Sequence, residues 1–285
     1  MSELTQKLSL KEKISYGFGD LASVLYWQTF MLYFTYFYTD VFLIPASVAA
    51  TMFLISRIWD GLNDPLMGII ADRTKTRWGK FRPYLLWLCV PFAVVGVLTF
   101  SAPDFSLDGK IIYAYITFIL IMMLYTAINI PYTALLGVIS ADSNERTTVS
   151  SVKFLFAFAA GIIVSATLLP MVKYFGSGNE AKGWQISFII YGIAAVVFFL
   201  IAFKGTKERV QPPKTQKSSI KKDLYELVTN KPWVILLATT ITFILYVAVR
   251  GSVTVHYFKY VIGTQNLSIP FFGTGDYDFE TLTSV

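Results

Sequence analysis

Seven apolar stretches, near residues 14–38, 46–71, 82–101, 111–138, 150–174, 184–203 and 233–262, each reach the roughly 20 residues that a helix needs to cross a bilayer. A chain built this way can bury those runs only in a membrane, where a helix satisfies its own backbone polar groups. Charged residues make up 15% of the sequence, well below the roughly one quarter of soluble domains. The expected fold is therefore all-α, a polytopic membrane protein. The separating segments are polar or turn-forming, among them "DRTKTRWGKFRP", "SADSNERTT" and the long "KGTKERVQPPKTQKSSIKKD".

Lys and Arg crowd into alternate gaps: Lys7, Lys11 and Lys13, then Arg73 to Arg82, Arg146 with Lys153, and Lys204 to Lys231. The positive-inside bias then predicts a cytoplasmic N-terminus in a multi-pass protein of the cell membrane. The net charge of +6 is explained by topology and calls for no nucleic acid. "MSELTQKLSLKEK" has neither a hydrophobic signal core nor a small-residue cleavage site, so the first span reads as an uncleaved anchor. Cys89 is the only cysteine, which removes disulfide and zinc frameworks.

The basic gap after the sixth span divides the chain. Residues 1–203 are expected to form a six-span bundle, 204–232 a cytoplasmic linker, and 233–285 a seventh span with an outer loop. Six spans, a linker and the start of another set suggest half of a two-half transporter, with a C-terminal half of the same transporter as its partner.

"RIWDGLNDPLMGII", Arg57 to Ile70, puts charge in the middle of an apolar run. On a helix, Arg57, Asp60, Gly61, Asp64 and Gly68 share a stripe, since each step is three or four residues. Phe53, Leu54, Ile55, Ile58, Leu62 and Leu66 fill most of the remaining circumference. Pro65 is expected to loosen the turn, and the glycines to let a neighbouring helix approach. A charge near the bilayer centre costs about 2.5–3.5 kcal/mol on insertion scales. One Arg cannot balance two carboxylates, so Asp60 and Asp64 are expected to hold a coupling cation, Na⁺ or H⁺, with oxygen ligands from Asn63 and from hydroxyls of other helices. The simpler alternative is a static buried pair with Arg57.

Two further spans carry polar stripes: Tyr16, Asp20, Ser23 and Trp27 on the first, and Met122, Thr126, Asn129 and Thr133 on the fourth. A carboxylate, an amide, hydroxyls and a Trp are what a sugar site needs, although aromatics also pack against lipid and Asn129 also serves as glue between helices. Lys153 either snorkels to the headgroups or takes part in the site. Arg250 lies too deep in the seventh span for that and is expected to meet protein or a wet cavity. His256 reads as a packing or interface residue. At the cytoplasmic turns, Asp72, Arg73 and Arg77, with Asp142, Glu145 and Arg146, form either a charge latch that gates the inward side or ordinary solvated loops.

"YGFGD", "FYTDVF", "RIWDGLNDPLMGIIADRTKTRWGKFRPYLLW", "INIPYTAL", "NERT" and "YFKYVIG" occur in that order. Together they resemble the glycoside–pentoside–hexuronide:cation symporters, the melibiose-carrier group of the major facilitator superfamily. The resemblance implies a facilitator-type N-terminal bundle plus a seventh transmembrane helix, and a complete protein of twelve spans. It implies Asp60, Asp64, Asn63 and Thr126 as cation ligands, and Arg57, Asn129 and Lys153 at or near the sugar. The departures fall on the sugar side. The melibiose carrier has acids where this chain has about Ser23 or Val24 in the first span and Asn129 in the fourth, and a Trp where Thr133 stands.

The expected function is a secondary active symporter that moves a glycoside, pentoside or hexuronide with Na⁺ or H⁺ by alternating access. No cofactor beyond the coupling ion is expected. Rival readings are a carrier of another amphiphilic solute, a fragment without transport, and a membrane enzyme on lipid-linked sugars. The last would need a catalytic constellation, and no HExxH-like or His-rich site is present.

Overall fold

A computed structural model describes residues 7–210, 229–257, 265–269 and 273–277. Six long helices make up the first compact unit, which ends at Pro212. They are α1 (Leu10–Tyr36), α2 (Ala46–Arg73), α3 (Arg82–Thr99), α4 (Leu107–Ile139), α5 (Ser143–Gly176) and α6 (Glu180–Gly205). The second unit contains α7 (Lys231–Tyr257) and an antiparallel pair, β1 (Gln265–Ile269) with β2 (Gly273–Tyr277), in register Gln265 opposite Tyr277. Among the described residues the architecture is all-α apart from this short hairpin, which falls where the sequence suggested a loop. The side chains of Arg250 and His256, and residues 211–228 of the linker, lie outside the described residues.

Local chemistry sets the helix starts. Ser9 accepts from the Glu12 amide at 3.2 Å, Asp142 from the Asn144 amide at 2.8 Å, and Asn179 from the Lys182 amide at 3.0 Å. These caps carry the helices beyond the apolar runs, so α5 begins at Ser143 and not near residue 150. At its other end α1 passes into a five-residue π-helical turn, Phe37–Val41. Helix α2 runs through Pro65 unbroken. By length and composition, α3, α4, α5 and α6 suffice to cross a membrane. Helices α1 and α2 have comparable length but dilute their apolar windows with charge and polar groups, and the described apolar stretch of α7 is Lys231–Phe243.

Helix α1 packs on α5 and α6, α3 lies between α4 and α6, and α2 leans mainly on α4. The largest fully buried side chains are all aromatic. Tyr26, Phe30, Phe37, Phe92, Phe100, Phe118, Trp184 and Phe188 are almost completely buried, and Phe100 stacks on Phe188 with centroids 3.8 Å apart. Leu54, Ile58, Leu62 and Leu66 of α2, and Phe154, Phe158 and Ile162 of α5, are exposed apolar surface. In water such faces would aggregate, whereas lipid or another helix bundle covers them without penalty.

Candidate functional site

Helix periodicity puts Arg57, Asp60 and Asp64 on the side of α2 that turns toward α1 and α4. The hydroxyl of Thr126 on α4 donates to Oδ1 of Asp64 at 3.0 Å, which ties the two helices. One turn earlier, Nη1 of Arg57 lies 3.3 Å from Oδ2 of Asp60. The guanidinium carbon sits 4.8 Å from the Trp27 ring centroid and 4.6 Å from that of Phe53. Three buried atoms here, Nε and Nη2 of Arg57 and Oδ1 of Asp60, have no hydrogen-bond partner among the described residues. Asn63, one residue before Asp64, is half-buried. The glycines behave differently from one another. Gly68 faces Ile130 of α4, whereas Gly61 meets nothing within 4 Å and is no site of close approach.

The charge balance decides what this arrangement can do. Arg57 serves Asp60, and among the described residues Asp64 has only a neutral hydroxyl on it. A carboxylate left in that condition inside a membrane is unfavourable until a cation joins it. Carboxylate, hydroxyl and amide oxygens are the donors that a small hard cation takes.

The second cluster lies between α1, α4 and α5. Nζ of Lys153 is 3.6 Å from Oδ1 of Asp20 and 5.8 Å from the Tyr132 ring centroid. Lys153 therefore points into the bundle and does not snorkel outward. Tyr16 and Tyr132 stack with centroids 4.6 Å apart, and each hydroxyl donates to the other's backbone carbonyl, at 3.0 and 2.7 Å. Trp27 stacks on Tyr125 at 5.4 Å, and the Asn129 amide donates to the Tyr125 carbonyl at 3.0 Å. Through Trp27, Arg57 and Asp60 adjoin this cluster. One expected sugar contact is engaged otherwise. Ser23 is buried and spends its hydroxyl on the Gly19 carbonyl at 3.1 Å, because a serine inside a helix reaches back to the preceding turn more easily than across a cavity. Thr133 lies on the same stripe of α4 as Thr126 and Asn129 and is exposed there.

The candidate gate is distributed differently from the expected latch. Asp72 and Arg73 are exposed, and the described residues show no ion pair between them. Arg77 lies over the Trp78 ring at 4.4 Å. Asp142 caps α5, and Nη1 of Arg146 donates to the carbonyls of Ser140 and Ala141, both at 2.9 Å. Of the six, Glu145 makes a cross-helix ion pair, to Lys13 at 2.8 Å, and it also accepts from the Leu8 amide at 3.1 Å. The Lys13 hydrogen bond holds the Glu145 carboxyl below the usual range. A carboxyl lowered in the folded state stabilises the fold above its unfolded pKa, and the gain is lost as pH falls through the lowered value. Glu145→Gln should thus lower the melting temperature at neutral pH, with the variant and parent curves converging in acid. Parallel curves throughout would refute the tie.

Reading from sequence missed a strap at the same end of the bundle. Glu12 pairs with Arg209 through two bonds, 2.7 and 2.8 Å, and accepts from the Lys207 amide at 3.2 Å. The Glu208 carboxylate accepts from the amides of Lys80, Phe81 and Arg82 at 2.8, 2.8 and 3.0 Å. Both amides of Arg209 and Val210 donate to the Val138 carbonyl. The signals available were the S-x-x-E capping pattern that places Glu12, and an acid standing among basic residues at 208.

The family of MFS/sugar transport proteins matches residues 15–275. The chain is 43% identical over 270 residues to the inner membrane symporter YicJ of Escherichia coli, across 95% of this chain and 58% of that protein. It is 43% identical to the putative glycoside/cation symporter YagG of the same organism, over 93% of this chain and 58% of that one. Identity to the isoprimeverose transporter of Lactiplantibacillus pentosus is 42%, over 87% and 53%. The chain thus spans little more than half the length of these relatives. The family match covers both clusters and residues 207–210 of the strap, and the matches place the chain in the MFS/sugar transport protein family.

Proposed function

We propose that the chain forms the first bundle, and one helix beyond it, of a symporter that moves a sugar with Na⁺ or H⁺. The observation that carries this reading is the Asp64–Thr126 bond beside an Arg57–Asp60 pair: two membrane-embedded carboxylates with one basic partner. The names of the relatives, among them a putative glycoside/cation symporter and an isoprimeverose transporter, favour a glycoside as cargo.

In the proposed cycle the cation enters between Asp60 and Asp64, with Asn63 and Thr126 completing its oxygen shell. Neutralising the pair draws α2 against α4. Arg57 is then free to shift against Trp27, and the movement passes through Tyr125 to Asn129, Lys153 and Asp20, which contact the sugar. Ion binding raises sugar affinity through this contact chain, and linkage requires the reverse as well. The two bundles of a full-length transporter would rock about the site in alternating access, with the Lys- and Arg-rich end in the cytoplasm.

Uptake of a panel of labelled glycosides by the full-length transporter tests the reading. Accumulation should fall by about 10- to 100-fold when the coupling ion is withdrawn, the range of ordinary coupling energies. Accumulation indifferent to both Na⁺ and the proton gradient would overturn it.

A further inference from the structure

We propose that Asp20 sets this site for uncharged sugars, its carboxylate holding Lys153 where the acid group of a hexuronide would otherwise bind. The inference rests on the symport reading above and deepens it to a substrate class. The two clusters carry three carboxylates, Asp20, Asp60 and Asp64, against two cations, Arg57 and Lys153. One bound monovalent cation brings that set to neutrality, and an anionic sugar would unbalance it again.

Each cation already has a carboxylate partner. Arg57 gives Nη1 to Asp60, and its Nε and Nη2 are closed off from solvent beside the Trp27 and Phe53 rings. Lys153 is reachable, with 22% of its side chain exposed, but Asp20 already lies 3.6 Å away. A sugar carboxylate that took Lys153 would leave Asp20, itself 8% exposed, as an unpaired charge. Asp20 has little freedom to swing aside. The preceding residue, Gly19, packs so closely on the Tyr132 ring that even a methyl there would collide with it. The reciprocal Tyr16–Tyr132 hydrogen bonds fix α1 against α4 at that level. Rejection of the wrong charge is thereby built into the site, and the pair leaves carboxylate and ammonium groups for sugar hydroxyls.

The test is competition in the full-length transporter. Methyl β-glucoside and methyl β-glucuronide, which differ in the oxidation of C6, compete with a labelled glycoside for cation-driven uptake. In the parent protein the glucoside should compete at a concentration at least about 10-fold lower, the effect of about 1.4 kcal/mol. Asp20→Asn frees Lys153 and should close or reverse that ratio, while Asp20→Asn combined with Lys153→Met should cancel the gain for the glucuronide. Equal competition in the parent overturns the proposal even if no variant reaches the membrane. So does an unchanged ratio in Asp20→Asn. A transporter that accumulates no sugar with either ion would overturn the symport reading itself, and the selectivity with it.

Discussion

Asp64→Asn in the full-length transporter should abolish ion-driven accumulation while leaving the bundle folded. The amide oxygen can still accept from Thr126, so the 3.0 Å tie between α2 and α4 survives and only the charge is lost. The loss expected is on the order of 100-fold in ion-stimulated uptake, toward the upper end of what a coupling of about 1–3 kcal/mol produces. Sugar equilibration without accumulation should persist, since the Asp20–Lys153 cluster is untouched. Asp60→Asn is a less selective change, because it also strands Arg57, whose Nε and Nη2 already lack partners. It should reduce both stability and transport. Thr126→Ala should weaken ion affinity about 10-fold, the size of a hydrogen bond to a charged group, and Thr126→Ser should restore it. If Asp64→Asn accumulates sugar as the parent does, the cation does not bind there.

The part of this site visible in sequence was the part governed by helix periodicity. Steps of three and four residues put Arg57, Asp60 and Asp64 on one stripe, and the structure turns that stripe toward α1 and α4. The same spacing put Ser23 beside Asp20 and Thr133 beside Asn129. Spacing cannot show that the Ser23 hydroxyl bonds its own helix, nor which sector of α4 the bundle leaves uncovered. Lys153 near a helix start stayed open between headgroups and site because its partner, Asp20, belongs to another helix. Helix positions followed the apolar runs closely, and the helix ends extended wherever Ser9, Asp142 or Asn179 supplied a cap. Glu208 and Arg209 escaped because their chemistry is non-local. In a basic linker they resemble solvated charges, yet Glu208 caps amides some 126 to 128 positions away.

That strap supplies the second large effect. Glu208→Ala should lower the stability of the bundle by about 2–4 kcal/mol, since three amides lose a charged acceptor at once and water recovers only part of the loss. The corresponding fall in melting temperature is roughly 5–10 °C. Trypsin should also cut faster after Lys207 and Arg209, since releasing Glu208 loosens the segment that Glu12 and the Val138 carbonyl hold. Gly79 gives an independent approach from the other side of the contact. Its φ of +110° lies where side chains are disfavoured, and a methyl there would run into the Glu208 carboxylate. Gly79→Ala should therefore reproduce much of the same defect. Combining the two should cost less than their sum, because without the carboxylate the new methyl has nothing to strike and only the backbone strain remains. Strict additivity, or a Glu208→Ala protein that melts and is cleaved like the parent, would show that the strap rests on the bundle without stabilising it.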